Sequence, residues 1–259
     1  LGTEYVAVKG ALNSDGDESV FLMAVENNTK IYIDGGTTPV ATLFAGQYYR
    51  HDMDYLSGAS NNATYMTAPQ PVYAMHVTGF GCEMGMAILP PLNCAGSQQV
   101  GVTRSTNEGF ILNLLVRTGS QNNFVVTGPG TATIPGSAFI TVPGTGGEWM
   151  AARIQYNTTE VPVNQAVIVS NTSDVFSLGV INGGSTSGCR YGFFSEFSLT
   201  VPVSAGVDQN RCAGDDVQLA GTVSGGSTTG LWTTTGSGTF HPDATTLNAI
   251  YEPSVSDLA

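Results

Sequence analysis

Residues 189–198 read CRYGFFSEFS, and residues 82–91 read CEMGMAILPP. Taken alone, the first stretch holds the residue types of a reactive thiol site: Cys189 beside Arg190, aromatics between, and Glu196 downstream. Laid over the second stretch, cysteine falls on cysteine and Gly192 falls on Gly85. Arg190 then stands where Glu83 stands, and a shared catalytic microenvironment would not survive that reversal of charge. Both stretches therefore read as the closing strand of a repeated unit, each with a cysteine at its start.

Working outward, four more matches occur in the same order. LGTEYVAV at 1–8 lies over AGSQQVGV at 95–102, VFLMAV at 20–25 over ILNLLV at 111–116, KIYIDG at 30–35 over NFVVTG at 123–128, and PVYAMHV at 71–77 over DVFSLGV at 174–180. An unchanged order with unequal loops is the mark of a duplication. Each unit holds about six apolar, β-branched or aromatic runs punctuated by Gly, Pro and Asn, and no 3.6-residue period persists. The expected fold is all-β: two tandem antiparallel units, 1–94 and 95–200, sandwich-like or alternatively built as propeller-type blades. Leu1 starts in register with Ala95, which leads to the expectation that a further unit precedes it. After SLTVPVSAG the texture changes, and 201–259 reads as a partial immunoglobulin-like domain around Trp232, short of its last strands.

Composition excludes several classes of function. The 259 residues include 8 Lys and Arg against 20 Asp and Glu, a net charge of −12. A nucleic-acid partner needs a basic footprint to displace counterions from phosphates, so none is expected. No apolar run reaches the length of a membrane-spanning helix, so no membrane insertion is expected. The four cysteines, Cys82, Cys94, Cys189 and Cys212, form no Cys-x-x-Cys pair and suit disulfides in an extracellular chain. Cys82–Cys94 is the first candidate bridge and Cys189–Cys212 the second. The first requires the strand after Cys82 to be short or bent, because seven extended residues travel about 23 Å.

Candidate chemistry is sparse. His51, His76 and His241 stand apart, with no His-Glu-x-x-His pair for zinc, and His76 inside PVYAMHV reads as a packed or hydrogen-bonded strand histidine. GGSTSG at 183–188 joins two predicted strands, whereas a nucleophile elbow needs a helix after it. Glu148 in GTGGEW reads as part of a turn leading into a strand. NSDGDES at 13–19 spaces Asn13, Asp15 and Asp17 like calcium ligands but has Glu18 where the loop needs glycine and Ala24 where it needs its bidentate acid. Calcium there is the one cofactor candidate; otherwise no cofactor is expected. In YYRHDMDY, Tyr48, Tyr49, Arg50, Asp52 and Tyr55 form the densest aromatic and polar cluster, a candidate ligand-binding surface.

The stretches LGTEY, AVENNTKIYIDG, ATLFAGQYY, GCEMGMAILPPLNCAGS, FILNLLVRTG and VINGGSTSGCRYGFFSEFS resemble the amino-terminal domain family of IgGFc-binding protein, in the version carried by large secreted proteins of gliding bacteria. The tail AGVDQNRCAGDDVQLAGTVSG with GLWTTTGSGTF resembles the PKD-like and immunoglobulin-like repeats of bacterial adhesins. The resemblance implies an extracellular or cell-surface binding role and supplies no catalytic residues. The leading expectation is a non-enzymatic structural or adhesive module of a large secreted surface protein, assembled with other copies or domains of itself into an extracellular filament. The alternative is a secreted domain that binds surface glycans or proteins.

Overall fold

The computed structural model describes residues 1–12, 18–53, 62–93, 95–194, 203–212, 214–223 and 229–258. It is all-β, and two compact units divide the chain, Leu1–Ser198 and Leu199–Ala259.

The first unit begins with seven strands: β1 (Gly2–Val8), β2 (Ser19–Ala24), β3 (Thr29–Ile33), β4 (Ala41–Leu43), β5 (Tyr48–Asp52), β6 (Ala63–Phe80) and β7 (Glu83–Ile88). The 18-residue β6 has two sets of partners. Its first part pairs with β1 and β3, and its second part pairs with β2 and β7. Pro69 and Pro71 lie at the changeover. Proline has no N–H to give a ladder, and there β6 passes from one set of partners to the other within a single seven-stranded sheet.

Eight further strands complete the unit: β8 (Gln99–Thr103), β9 (Gly109–Arg117), β10 (Phe124–Thr127), β11 (Ile140–Thr141), β12 (Trp149–Tyr156), β13 (Ala166–Asn171), β14 (Phe176–Gly184) and β15 (Gly188–Phe193). One sheet runs β10-β13-β8 and the other β11-β12-β9-β14-β15. The order β12-β9-β14-β15 repeats β5-β2-β6-β7, and β8-β13-β10 repeats the order of β1, the first part of β6, and β3. All these pairings are antiparallel. Where β6 runs on through its prolines, the second half breaks between β13 and β14. There the Asn171 side-chain oxygen accepts from the backbone N–H groups of Ser173 and Asp174, which turns the chain.

The sequence matches find the right strands but slip in register. Val6 lay over Val100, yet Val6 packs between the halves while Val100 lies in the second core. Leu22 lay over Asn113, yet Leu22 is core and Asn113 points away from its core, donating to the Val8 carbonyl at 2.8 Å. A shift of one residue reverses every side chain in a strand. The two cysteines also hold different places: Cys82 sits in the turn between Phe80 and Glu83, whereas Cys189 lies within β15 opposite Gly183.

Each half has its own core. Tyr5, Val20, Leu22, Ile31, Met66 and Leu89 fill the first; Phe110, Leu112, Leu114, Val116, Phe176 and Leu178 fill the second. A third cluster joins the halves, with Val6, Val8, Ala63 and Leu92 against Leu115, Val142, Trp149 and Ala151. Strand β9 is thus buried on both faces along seven of its nine residues.

Among its described residues, the Leu199–Ala259 unit has five short strands, β16 (Val203–Ser204), β17 (Val217–Gln218), β18 (Thr222–Val223), β19 (Thr239–His241) and β20 (Ile250–Glu252), in the sheets β16-β18 and β17-β20-β19. Trp232 is half-buried, and its indole N–H donates to the carbonyls of Thr246 and Leu247 at 3.1 and 3.3 Å. Gly221 lies against that ring so closely that a Cβ would come within 2.7 Å of it. The Asp257 carboxylate accepts from the backbone N–H groups of Ser237, Gly238 and Ser254, which hold it well below the usual carboxylate range.

Candidate functional site

Side chains alternate across a strand, and directly paired residues share a face. On the β5-β2-β6-β7 sheet, Val20 and Leu22 point into the core, so Phe21 and Met23 point out. Met23 stands between Tyr48 of β5 and Tyr73 of β6. Phe21 stands between Arg50 and Met75, and Met75 in turn faces Ile88 of β7. Met86 pairs with Val77, and Met84 with Gly79, on the same side. The result is an open apolar surface: Met23, Tyr48, Tyr73, Met84, Met86 and Ile88 are 40%, 63%, 41%, 60%, 61% and 48% exposed. Contiguous apolar exposure of this kind marks an interaction surface, and methionine adapts to irregular partners. The Phe21 and Tyr48 rings lie 5.6 Å apart, and the Arg50 Nε donates to Ser19 Oγ at 3.1 Å.

Three of the candidate ligand-binding residues, Tyr48, Arg50 and Asp52, stand together on this surface. Tyr49 does not: it turns inward and packs against the first core. Tyr55, and the calcium candidates Asn13, Asp15 and Asp17, lie outside the described residues. Among the described residues, no three His, Cys, Asp or Glu side chains converge as metal ligands. The sequence reading missed Met23, Tyr73, Met84, Met86 and Ile88. In CEMGMAIL the large residues alternate with Gly85 and Ala87, and the inward members are the small ones. A Cβ on Gly85 would come within 2.9 Å of Tyr191 and 3.1 Å of the Cys189 sulfur, so β15 leaves no room for bulk on that side.

Behind this sheet lies a polar cluster around the buried Glu18 and His76. The Glu18 carboxylate accepts from the backbone N–H of Gly10, from that of Leu12 at 3.2 Å, and meets His76 Nε2 at 3.1 Å. His76 Nδ1 meets the Tyr191 hydroxyl at 2.7 Å, and the Arg153 Nε donates to the Gly10 carbonyl at 2.7 Å. Burial alone would raise the Glu18 pKa. The His76 hydrogen bond and charge, the Gly10 N–H and Lys9 prevail and hold it below its ordinary value. Burial drives the Tyr191 phenol well above its ordinary value, and the Glu18 charge adds to this. Acid, imidazole and hydroxyl in series have the composition of a nucleophile relay, but the Glu18 and His76 side chains are both wholly enclosed. The cluster ties the start of β2 to β6, β12 and β15 across the two halves.

The other candidates resolve simply. Cys189 is half-buried, and burial pushes its thiol up to about 11, Arg190 opposing and Glu18 and Glu83 adding to the rise. That rise disfavours the thiolate, which is the nucleophilic form. Cys82, Cys189 and Cys212 are free thiols, so the expected Cys189–Cys212 bridge is not formed, and neither is Cys82–Cys94. Cys94 itself lies outside the described residues. Residues 185–187 of GGSTSG make the turn of the β14–β15 hairpin. Glu148 pairs with Arg117, whose guanidinium lies 4.7 Å from the Trp149 ring centre.

The Leu1–Ser198 unit thus combines an all-β architecture, an open apolar sheet face and a polar cluster around the enclosed Glu18 and His76 side chains. Residues 1–183 match the IgGFc binding protein family, and the chain belongs to it. That membership suggests a secreted or surface ligand-binding module. No curated protein and no solved structure matches the chain. Among the described residues, no helix is long and apolar enough to cross a membrane.

Proposed function

We propose that this chain is a non-enzymatic adhesive module of a secreted or cell-surface protein, and that it docks protein through the open β5-β2-β6-β7 face. One observation carries the reading: six large apolar side chains stand exposed on a single continuous sheet face. A glycan site would be expected to concentrate polar groups beside its aromatics, as Tyr48, Arg50 and Asp52 do at one margin. Most of this face is instead methionine, isoleucine and tyrosine, which suits a protein partner. The Glu18–His76 pair supports binding over catalysis, because no substrate reaches it. The Leu199–Ala259 unit is read as a PKD-like or immunoglobulin-like spacer of the kind that adhesins carry.

The test uses immobilised immunoglobulin Fc, the family's namesake ligand, alongside a glycan array and immobilised copies of the chain itself. Tyr73→Asp and Met86→Asp are expected to abolish capture by whichever protein probe binds the wild type. Glycan binding that needs Tyr48 but is indifferent to Met86→Asp would move the site to the β5 margin and overturn the protein-docking reading.

A further inference from the structure

The open face has a covered counterpart in the same chain. On β5-β2-β6, Arg50 pairs with Phe21 and Phe21 with Met75. On β12-β9-β14, Arg153 pairs with Asn113 and Asn113 with Gly179. Both rows lie on the side of their sheet away from its own core. In the second half that side is packed against the first half. Leu115, Ala151 and Trp149 meet Val6, Val8 and Ala63 there, and Asn113 and Arg153 donate to the carbonyls of Val8 and Gly10 at 2.8 and 2.7 Å.

The covering surface is the outward side of β1 and the first part of β6, where Val6 pairs with Tyr65 and Val8 with Ala63. The second half carries its own version. On the outward side of β8 and β13, Gly101 pairs with Ile168 and Thr103 with Ala166. That side is open, with Gly101, Thr103, Ala166 and Ile168 all exposed, and β10 adds Val125 and Thr127. Among the described residues, none of those on this side is charged. The chain therefore displays one sheet face of each kind whose equivalents pack together inside it.

We propose that the open β5-β2-β6-β7 face docks a second copy of this chain, which presents the outward side of its β8-β13-β10 sheet. The proposal rests on the reading of that face as a protein-docking surface and names the partner. Four strands about 4.8 Å apart make a face roughly 19 Å across, wide enough for the roughly 14 Å of three strands. The donor side is neutral and apolar, with Ile168 and Val125 beside Gly101, Thr103 and Ala166, which suits contact with the methionines and tyrosines, and Arg50 meets no opposing cation. Because the two surfaces differ, the contact is head-to-tail and propagates into a fibre unless it closes into a ring. Copies carrying a net charge of −12 repel one another, so association should strengthen as salt is added.

Sedimentation velocity on the full chain, from micromolar to millimolar, tests this. The wild type is expected to associate with rising concentration, and Met23→Asp and Ile168→Asp are each expected to leave monomers. An equal mixture of the two variants should form dimers and nothing larger, since each retains the surface the other lacks. Tyr73→Asp and Thr103→Asp serve as a second pair, with unchanged thermal melting as the control for folding. Association that survives Ile168→Asp overturns the proposal. A wild type that stays monomeric but binds immobilised Fc through a Met23-sensitive face also overturns it, while leaving the docking reading intact. If the chain neither associates nor binds a protein probe, both fall.

Discussion

Glu18→Gln probes the junction between the halves. The wild-type carboxylate accepts two backbone N–H groups and sits against His76 with no exposure to solvent. Glutamine keeps one acceptor oxygen but replaces the other with an NH2 group, so one buried N–H loses its partner and faces another donor. A lost hydrogen bond to a charged group is worth about 1.5–3 kcal/mol, and a stranded buried N–H costs about 1–3 more. The sum, roughly 2.5–6 kcal/mol, brackets the roughly 3–5 kcal/mol found when one member of a buried pair is removed. Urea unfolding at pH 7, followed by Trp149 fluorescence in a Trp232→Phe background, measures it. A loss below about 1 kcal/mol would refute the claim that this carboxylate holds the junction, since even one charged hydrogen bond exceeds that.

The pH profile adds a second check on the same variant. Glu18 titrates below its ordinary value of 4.5 in the folded chain, so as pH falls the unfolded chain takes up that proton first. Its contribution is complete above that value and is lost as pH drops through the lower folded one. His51 acts at higher pH: burial lowers its pKa from 6.5, against the raising effect of Asp34 and Asp52, so the unfolded state gains a proton the folded state refuses. Wild-type stability should therefore decline in two stages on acidification. Glu18→Gln should remove the lower stage and leave the upper one, whereas an unchanged acid limb would show that Glu18 is not the group responsible.

Two further outcomes follow from burial. Leu114→Ala, at a wholly enclosed position in the second core, is expected to cost about 2–5 kcal/mol in the same urea assay; a loss under about 1 kcal/mol would mean the core repacks around the gap. Mapping thiol labelling with Ellman's reagent at pH 8 by peptide mass should find Cys189 more than about tenfold slower than exposed Cys82 and Cys212, since only its thiolate reacts. Equal rates would remove burial as the factor controlling Cys189.

The strand content and the doubled order of pairing were legible in the sequence because Gly, Pro and Asn punctuate short apolar runs. Register was not, and β9 explains why. A strand buried on one face alternates, and the alternation fixes which side is inward. FILNLLV is apolar on nearly every residue because both sides are covered, so a slip of one position scores as well as the true register. Asn113 is its one polar residue, and it marks the side that meets the Val8 carbonyl. The Glu18–His76–Tyr191 cluster was illegible for a different reason: its members lie 58 and 115 residues from His76, and only the folded topology brings them together.

The divergence between the halves is written in side-chain size on the faces that share a pairing order. Where the second-half sheet meets the first half, Ala151 and Asn113 stand beside the larger Leu115 and Trp149, and Asn113 donates a hydrogen bond across the contact. The first-half sheet has Met75, Tyr48 and Phe21 in the corresponding row and its neighbour, bulky residues suited to a smoother partner. On the proposed donor side Gly101 and Thr103 stand where the first half has Val6 and Val8, so the smaller strand residues face the bulkier sheet that the proposal pairs with it.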